Sequence, residues 1–153
     1  MIFWVRHGQS TWNAIDRMQG HELSPPLTDL GRAQSAQAAE ALVGRGVVHL
    51  LSSPATRALE TAAVIGERLG LDIVTEPLLL EKGLDEDVAQ VLTRVQKILG
   101  ADLPEHTVAV SHGDTIGLAV ALLSRSSITP PSNGSVTSVD PETRAVSITG
   151  ASR

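Results

Sequence analysis

The sequence predicts an α/β protein, a three-layer α/β/α sandwich built around a mostly parallel sheet. Short apolar runs of strand length alternate with stretches of helical periodicity, the pattern of a sheet covered by helices. Three of those runs end abruptly in a polar turn: residues 2–5 before Arg6-His7-Gly8, 47–51 before Ser52-Ser53-Pro54, and 107–110 before Ser111-His112-Gly113. At 153 residues the chain has the size of one domain, enough to bury about two-thirds of the surface its unfolded form exposes.

The elements follow in order. Residues 2–5 form the first strand. Residues 28–42, opened by Thr28, form an alanine-rich helix whose inner face is not marked by large side chains. After the strand at 47–51, Ser53-Pro54 reads as a cap with proline at the first helical position. Ala55, Ala58, Leu59, Ala62, Ile65 and Leu69 then share one face before Gly70 stops the helix. A strand is expected at 71–75. The clearest helix is 85–99, where Val88, Val91, Leu92, Val95, Ile98 and Leu99 recur at the spacing of one buried face. A strand at 107–110 leads into a helix at 114–123 that is apolar nearly all round and so is expected to be buried. Residues 128–134, with two prolines, read as an exposed loop. Runs at 135–139 and 145–149, joined through Asp140-Pro141-Glu142-Thr143, close the chain as a hairpin. There is no internal repeat, and one domain over 1–153 is expected.

Composition narrows the function. Apolar residues make up 42% and mean hydropathy is +0.08, which excludes a disordered chain. Twelve Lys and Arg against seventeen Asp and Glu give a net charge of −5, unfavourable for nucleic acid or an anionic membrane. With one Phe, two Trp and no Tyr, the stacking platforms of single-strand binders are nearly absent. The lack of cysteine removes disulfides, thiolate metal sites and cysteine nucleophiles. No apolar run approaches membrane-spanning length and no signal peptide pattern opens the chain, so a soluble, cytoplasmic protein is expected.

Ligands of open α/β sheets sit at the carboxyl ends of the strands, and three strands here each deliver a polar group just past that end. These are Arg6 with His7, Arg57 early in its helix, and His112. Two imidazoles and two guanidiniums on one rim predict a cationic pocket suited to a dianion such as phosphate. Helix N-termini after Pro54 and Gly113 would add backbone N–H donors. Gly8 and Gly113, each following a histidine, would let backbone approach the ligand.

Arg6-His7-Gly8-Gln9-Ser10 with Thr11 and Asn13, Pro26-Leu27-Thr28 with Gly31, Ser53-Pro54 with Arg57-Ala58 and Thr61, and Val110-Ser111-His112-Gly113 form four ordered motifs. Together they resemble the histidine phosphatase superfamily, in the branch that contains cofactor-dependent phosphoglycerate mutases. The resemblance implies that His7 accepts a phosphoryl group, that Arg6, Arg57 and His112 bind phosphate, and that Asn13 with Gln9 or Ser10 helps line the pocket. It also implies a carboxylate that protonates the leaving group. Glu81, in Leu78-Leu79-Leu80-Glu81-Lys82-Gly83, matches best, although Gly83-Leu84-Asp85-Glu86-Asp87 departs from the family's usual continuation. Asp85 or Glu86 is the alternative. Only thirty residues lie between Glu81 and His112, so the cover that relatives insert there, at roughly 82–106, must be minimal. Such an open site disfavours a mutase, whose phosphoenzyme must be shielded from water.

The expected function is therefore metal-independent hydrolysis of phosphomonoesters through a phosphohistidine on His7. The alternatives are a phosphoglycerate mutase and a non-catalytic phosphate-binding module. The chemistry suits the residues, because phosphoryl transfer needs in-line positioning and fixed donors on the equatorial oxygens. Arginines supply bidentate donors, and neutral imidazole is a competent nucleophile. Nearby cations should keep His7 unprotonated. His21 could stand at the pocket edge or simply face solvent. His49 and His106 read as structural or exposed, residues 85–87 as a charged helix start, and Gly44-Arg45-Gly46 as a loop without the third glycine of a dinucleotide site. No histidine pair or carboxylate cluster has metal-ligand spacing, so neither metal nor cofactor is expected. A phosphorylated small molecule is the expected partner, and the strand at 145–149 could pair between two copies as an edge.

Overall fold

The computed structural model describes residues 1–127 and 130–150, and places six strands in one sheet of order β3-β2-β4-β1-β5-β6. The strands are β1 (Ile2–Arg6), β2 (His49–Ser52), β3 (Ile73–Thr75), β4 (Thr107–Ser111), β5 (Val136–Val139) and β6 (Val146–Thr149). The first four pair in parallel, while β5 runs antiparallel to β1 and to β6. Ile128 and Thr129, part of the loop expected at 128–134, lie outside the described residues.

Alternation along the central strands sorts the core into two layers, as a pleated strand covered on both faces requires. Phe3, Val5, Leu50, Val108 and Val110 face one side, against α1 (Asp29–Leu42) and α2 (Thr56–Leu69). Trp4, Leu51 and Ala109 face the other, where α3 (Val88–Leu99) and α4 (Gly113–Ser124) pack. The three-layer α/β/α architecture expected from the sequence is the one observed. The unmarked face of α1 resolves to Ala38, Ala39 and Leu42, small enough to pack closely on α2.

Capping corrects the sequence reading at α2. Ser53-Pro54 does not open the helix, which starts at Thr56 after Ala55 with no side-chain cap. Ser53 is spent elsewhere, on His112. By contrast Thr28 caps α1 by accepting from Gly31 N, and Asp87 with Gln90 forms a reciprocal capping box on α3. Helix α4 is less enclosed than its composition suggests: Ile116, Ala119 and Val120 are buried, but Leu122 is exposed. The segment expected to be a minimal cover is largely α3, whose Val91, Val95 and Ile98 complete the Trp4 side of the core. No helix among the described residues is long and apolar enough to cross a membrane.

Candidate active site

The register of β1 on β4 sets Arg6 opposite Ser111, so the residues that follow each strand, His7 and His112, emerge side by side. His7 N donates to Ser111 O at 3.1 Å, and the two imidazoles meet edge to face with centres 5.1 Å apart. Both are buried. His7 Nδ1 lies 2.6 Å from Gly8 O. A carbonyl can only accept, so Nδ1 carries the proton and Nε2 keeps its lone pair. His112 Nε2 is 2.8 Å from Ser53 Oγ, while its Nδ1 has no hydrogen-bond partner and lies 3.4 Å from Glu81 Oε1. Burial, above all, holds both imidazoles well below their ordinary pKa. His112, Arg57 and Arg6 push His7 the same way, and Arg57 and Arg6 do so for His112. The sequence argument named the cations alone; loss of solvent is the larger cause.

Arg57, near the start of α2, is fully buried, and its guanidinium is held by its surroundings. It donates to Glu22 O at 2.7 Å and to Glu81 Oε1 at 2.9 Å. Arg6 donates to Pro131 O at 2.7 Å, and the position a Gly113 Cβ would take lies 3.2 Å from its Cζ. A side chain at Gly113 would thus press on the guanidinium of Arg6. Gly8 likewise serves packing: a Cβ there would stand 2.2 Å from Gly31 O. Its N–H donates to Thr61 Oγ1 at 3.1 Å, which ties the His7 loop to α2.

A cavity of about 310 Å³ opens beside these groups, lined by Arg6, His7, Asn13, Glu81, Gly113 and Asp114 among others. Asn13 Oδ1 accepts from Ser10 N and Ser10 Oγ, both at 3.0 Å, so only its Nδ2 hydrogens can serve an anion. Arg57 and His112 stand fully buried beside Glu81 and are not part of the cavity lining, and Gln9 and Ser10 do not line it either. Ser10 is buried and bonds Asn13 and Gln19, and Gln9 Oε1 accepts from Thr28 Oγ1. These two residues therefore support the wall instead of touching its contents. His49 opens β2 at the far end of its strand, and His106 stacks on Phe3, both away from the cavity.

Glu81 is brought in among the histidines and arginines, with Oε2 accepting from Gly20 N at 3.0 Å. Of its alternatives, Asp85 and Glu86 line a neighbouring groove instead, and Glu86 is held to about 2 by its hydrogen bond to Arg94. The carboxylate that sequence reasoning missed is Asp114. Burial chiefly, and then Glu81, raise its pKa, against bonds from the N–H groups of Thr115 and Lys82. Its place two residues after His112, at the start of a helix, was the available signal. The cavity is consequently less cationic than expected, because Glu81 and Asp114 offset the arginines. Arg94 was missed as well. From α3 it donates to Leu78 O at 2.9 Å, Leu80 O at 2.8 Å and Glu86 Oε1 at 2.7 Å, and so clamps the loop that carries Glu81. Nothing in the sequence distinguishes it from a solvated helix residue.

His7, Glu81 and His112 each present a potential metal-ligand atom, all within 4.8 Å of one another. Arg57, already bonded to that carboxylate, and Arg6 nearby oppose a cation there and favour an oxyanion.

A family model described as histidine phosphatase superfamily (branch 1) matches residues 2–86, more than half of the chain. The chain belongs to this superfamily. Among other histidine phosphatase-like proteins, it is 40% identical over 80 residues to a Yersinia pestis (strain Pestoides F) protein named probable phosphoglycerate mutase GpmB. That match takes in 52% of this chain and 37% of the relative, so the chain spans little more than a third of that protein's length. A solved mycobacterial glucosyl-3-phosphoglycerate phosphatase, in complex with VO3, superposes with TM-score 0.76 at 25% identity, over 97% of this chain and 96% of its own. Bacillus stearothermophilus YhfR shares the fold, with TM-score 0.80 at 22% identity over 96% and 95% of the two chains. Of the site residues expected from the sequence, Arg6, His7, Asn13, Glu81 and Gly113 line the cavity.

Proposed function

We propose that the chain is a phosphomonoesterase that acts on a phosphorylated small molecule through a phosphohistidine on His7. The observation that carries this reading is the tautomer of His7: Nδ1 is committed to Gly8 O, and Nε2 is left with a free lone pair in a buried site beside Arg6 and His112. Nε2 attacks phosphorus, the ester P–O bond breaks, and the departing oxygen takes a proton from Glu81. Water then attacks the phosphohistidine, Glu81 recovers a proton from it, and inorganic phosphate leaves. Arg6, Arg57, His112, the Nδ2 group of Asn13 and the N-terminus of α4 at Gly113 hold the phosphoryl oxygens. Glu81 is bonded to Arg57 in the empty site. An arriving dianion competes with that carboxylate for the arginine's hydrogens.

His7→Ala is expected to abolish phosphate release from a panel of phosphomonoesters while the protein stays folded. Wild-type protein quenched during turnover should carry acid-labile phosphate on His7. Full activity in the variant would refute the mechanism, and labelled His7 would exclude a purely binding role. The named mutase relative supports a second reading, in which the phosphoryl group returns to another hydroxyl. The open cavity favours water as acceptor, and incubation with 3-phosphoglycerate and a trace of bisphosphate separates the two by whether isomer or phosphate forms faster.

A further inference from the structure

The phosphate cavity continues outward. Arg17, Met18 and Gln19 line both it and an adjoining groove of about 750 Å³, whose other walls include Trp12, His21 and Leu84. We propose that this groove holds the alcohol portion of the substrate, and that it selects an uncharged group with a broad apolar face over one bearing its own carboxylate or second phosphate. The inference rests on the phosphomonoesterase reading and deepens it by naming the leaving-group class.

Two independent features point there. The first is exposed apolar surface: Met18 is 75% exposed and Leu84 68%, and both line the groove together with Trp12. Large apolar side chains held open beside a polar cleft gain free energy when a ligand covers them. The second is charge. Among the described residues Arg17 is the arginine that lines the groove, and its guanidinium carbon lies 3.8 Å from the centre of the Trp12 ring. Against it stand Glu22, Asp85 and Glu86. Glu86 is neutralised by Arg94 at 2.7 Å and faces His21 at 3.4 Å, whereas Glu22 and Asp85 make no ion pair among the described residues. A second anion on the substrate would meet two carboxylates that make no ion pair among the described residues, against the charge of Arg17. Gly83 and His21, both in the groove wall, lie close together, the position of a Gly83 Cβ being 2.8 Å from the His21 ring.

The test compares 2-naphthylmethyl phosphate with 3-phosphoglycerate, both alkyl esters, on wild type, Leu84→Asp and Asp85→Lys. In wild type KM for the naphthylmethyl ester is expected to be about tenfold the lower, the effect of covering one large apolar side chain. Leu84→Asp should raise that KM about tenfold with kcat changed less than about twofold, and Leu84→Met should restore it. Asp85→Lys should lower KM for 3-phosphoglycerate alone. Equal KM values for the two esters, or an unaltered naphthylmethyl KM in Leu84→Asp, would overturn the proposal. A titration with the non-hydrolysable 2-naphthylmethylphosphonate, followed by tryptophan fluorescence with Trp12→Phe as control, does not depend on turnover. Quenching of Trp12 that Leu84→Asp weakens supports the groove even if neither ester is cleaved, in which case only the phosphatase reading falls. No quenching of Trp12 overturns the groove.

Discussion

The bond from His7 Nδ1 to Gly8 O fixes where the imidazole proton resides, and burial fixes when a second proton is refused. The acid limb of kcat/KM should therefore lie below the ordinary histidine value of about 6.5. Glu81→Gln is expected to lower kcat by about 10²–10⁴, the usual contribution of a positioned acid. Asp114→Asn should lose less than about tenfold, since Asp114 shapes the field around Glu81 without donating. Turnover of the two variants decides between them, and the larger loss in Asp114→Asn would transfer the role. His7, His112, Arg6 and Arg57 were readable in the sequence because each ends or directly follows a strand or lies at the start of a helix, which are local signals. Asp114 satisfied the same criterion, but its meaning depends on burial and on the nearness of Glu81, neither of which a linear pattern displays.

At the scale of elements, the loop between β3 and α3 has no ladder to hold it, and Arg94 takes that part. Its guanidinium joins three backbone carbonyls, of Leu78, Leu80 and Glu81, to the Glu86 carboxylate. Arg94→Met should lower kcat about tenfold and leave KM within about twofold, because Glu81 loses its fixed position. Arg94→Lys, a point charge with a different donor geometry, should recover part of the rate. An unchanged kcat in Arg94→Met would show that the loop holds itself. The strands and helices were legible to within a few residues, since period and capping residues are local signals. The exception at α2 is instructive: Ser53-Pro54 has the composition of a cap, but tertiary contact with His112 claims the serine and the helix begins three residues later. Arg94 was illegible for the same reason, its partners lying up to sixteen residues away across a fold not yet formed.

For the whole molecule, two buried neutral histidines link stability to pH. Their folded pKa values are depressed, so below about 6.5 the unfolded chain takes up protons that the folded chain refuses. Their stabilisation is complete above that value and is lost as pH falls, by about 1.4 kcal/mol per pH unit for each histidine. Glu86, held to about 2, contributes in a lower window, fully present above its ordinary 4.5 and lost toward 2. Asp114, raised, works in the opposite direction. Urea midpoints should therefore fall between pH 6.5 and 5, and His112→Gln should flatten that slope. A slope unchanged by the substitution would mean that the imidazole titrates freely in the fold.

The sheet order has a consequence for synthesis. Strand β1 is made first, yet its two neighbours, β4 and β5, are made late. Until β4 and β5 are made, Phe3, Trp4 and Val5 have no ladder partner, and α1 can cover only one of their faces before α4 arrives. The nascent chain thus carries an unpaired apolar strand, a hazard for association with other chains, and the histidine pair can form only once residue 112 has left the ribosome.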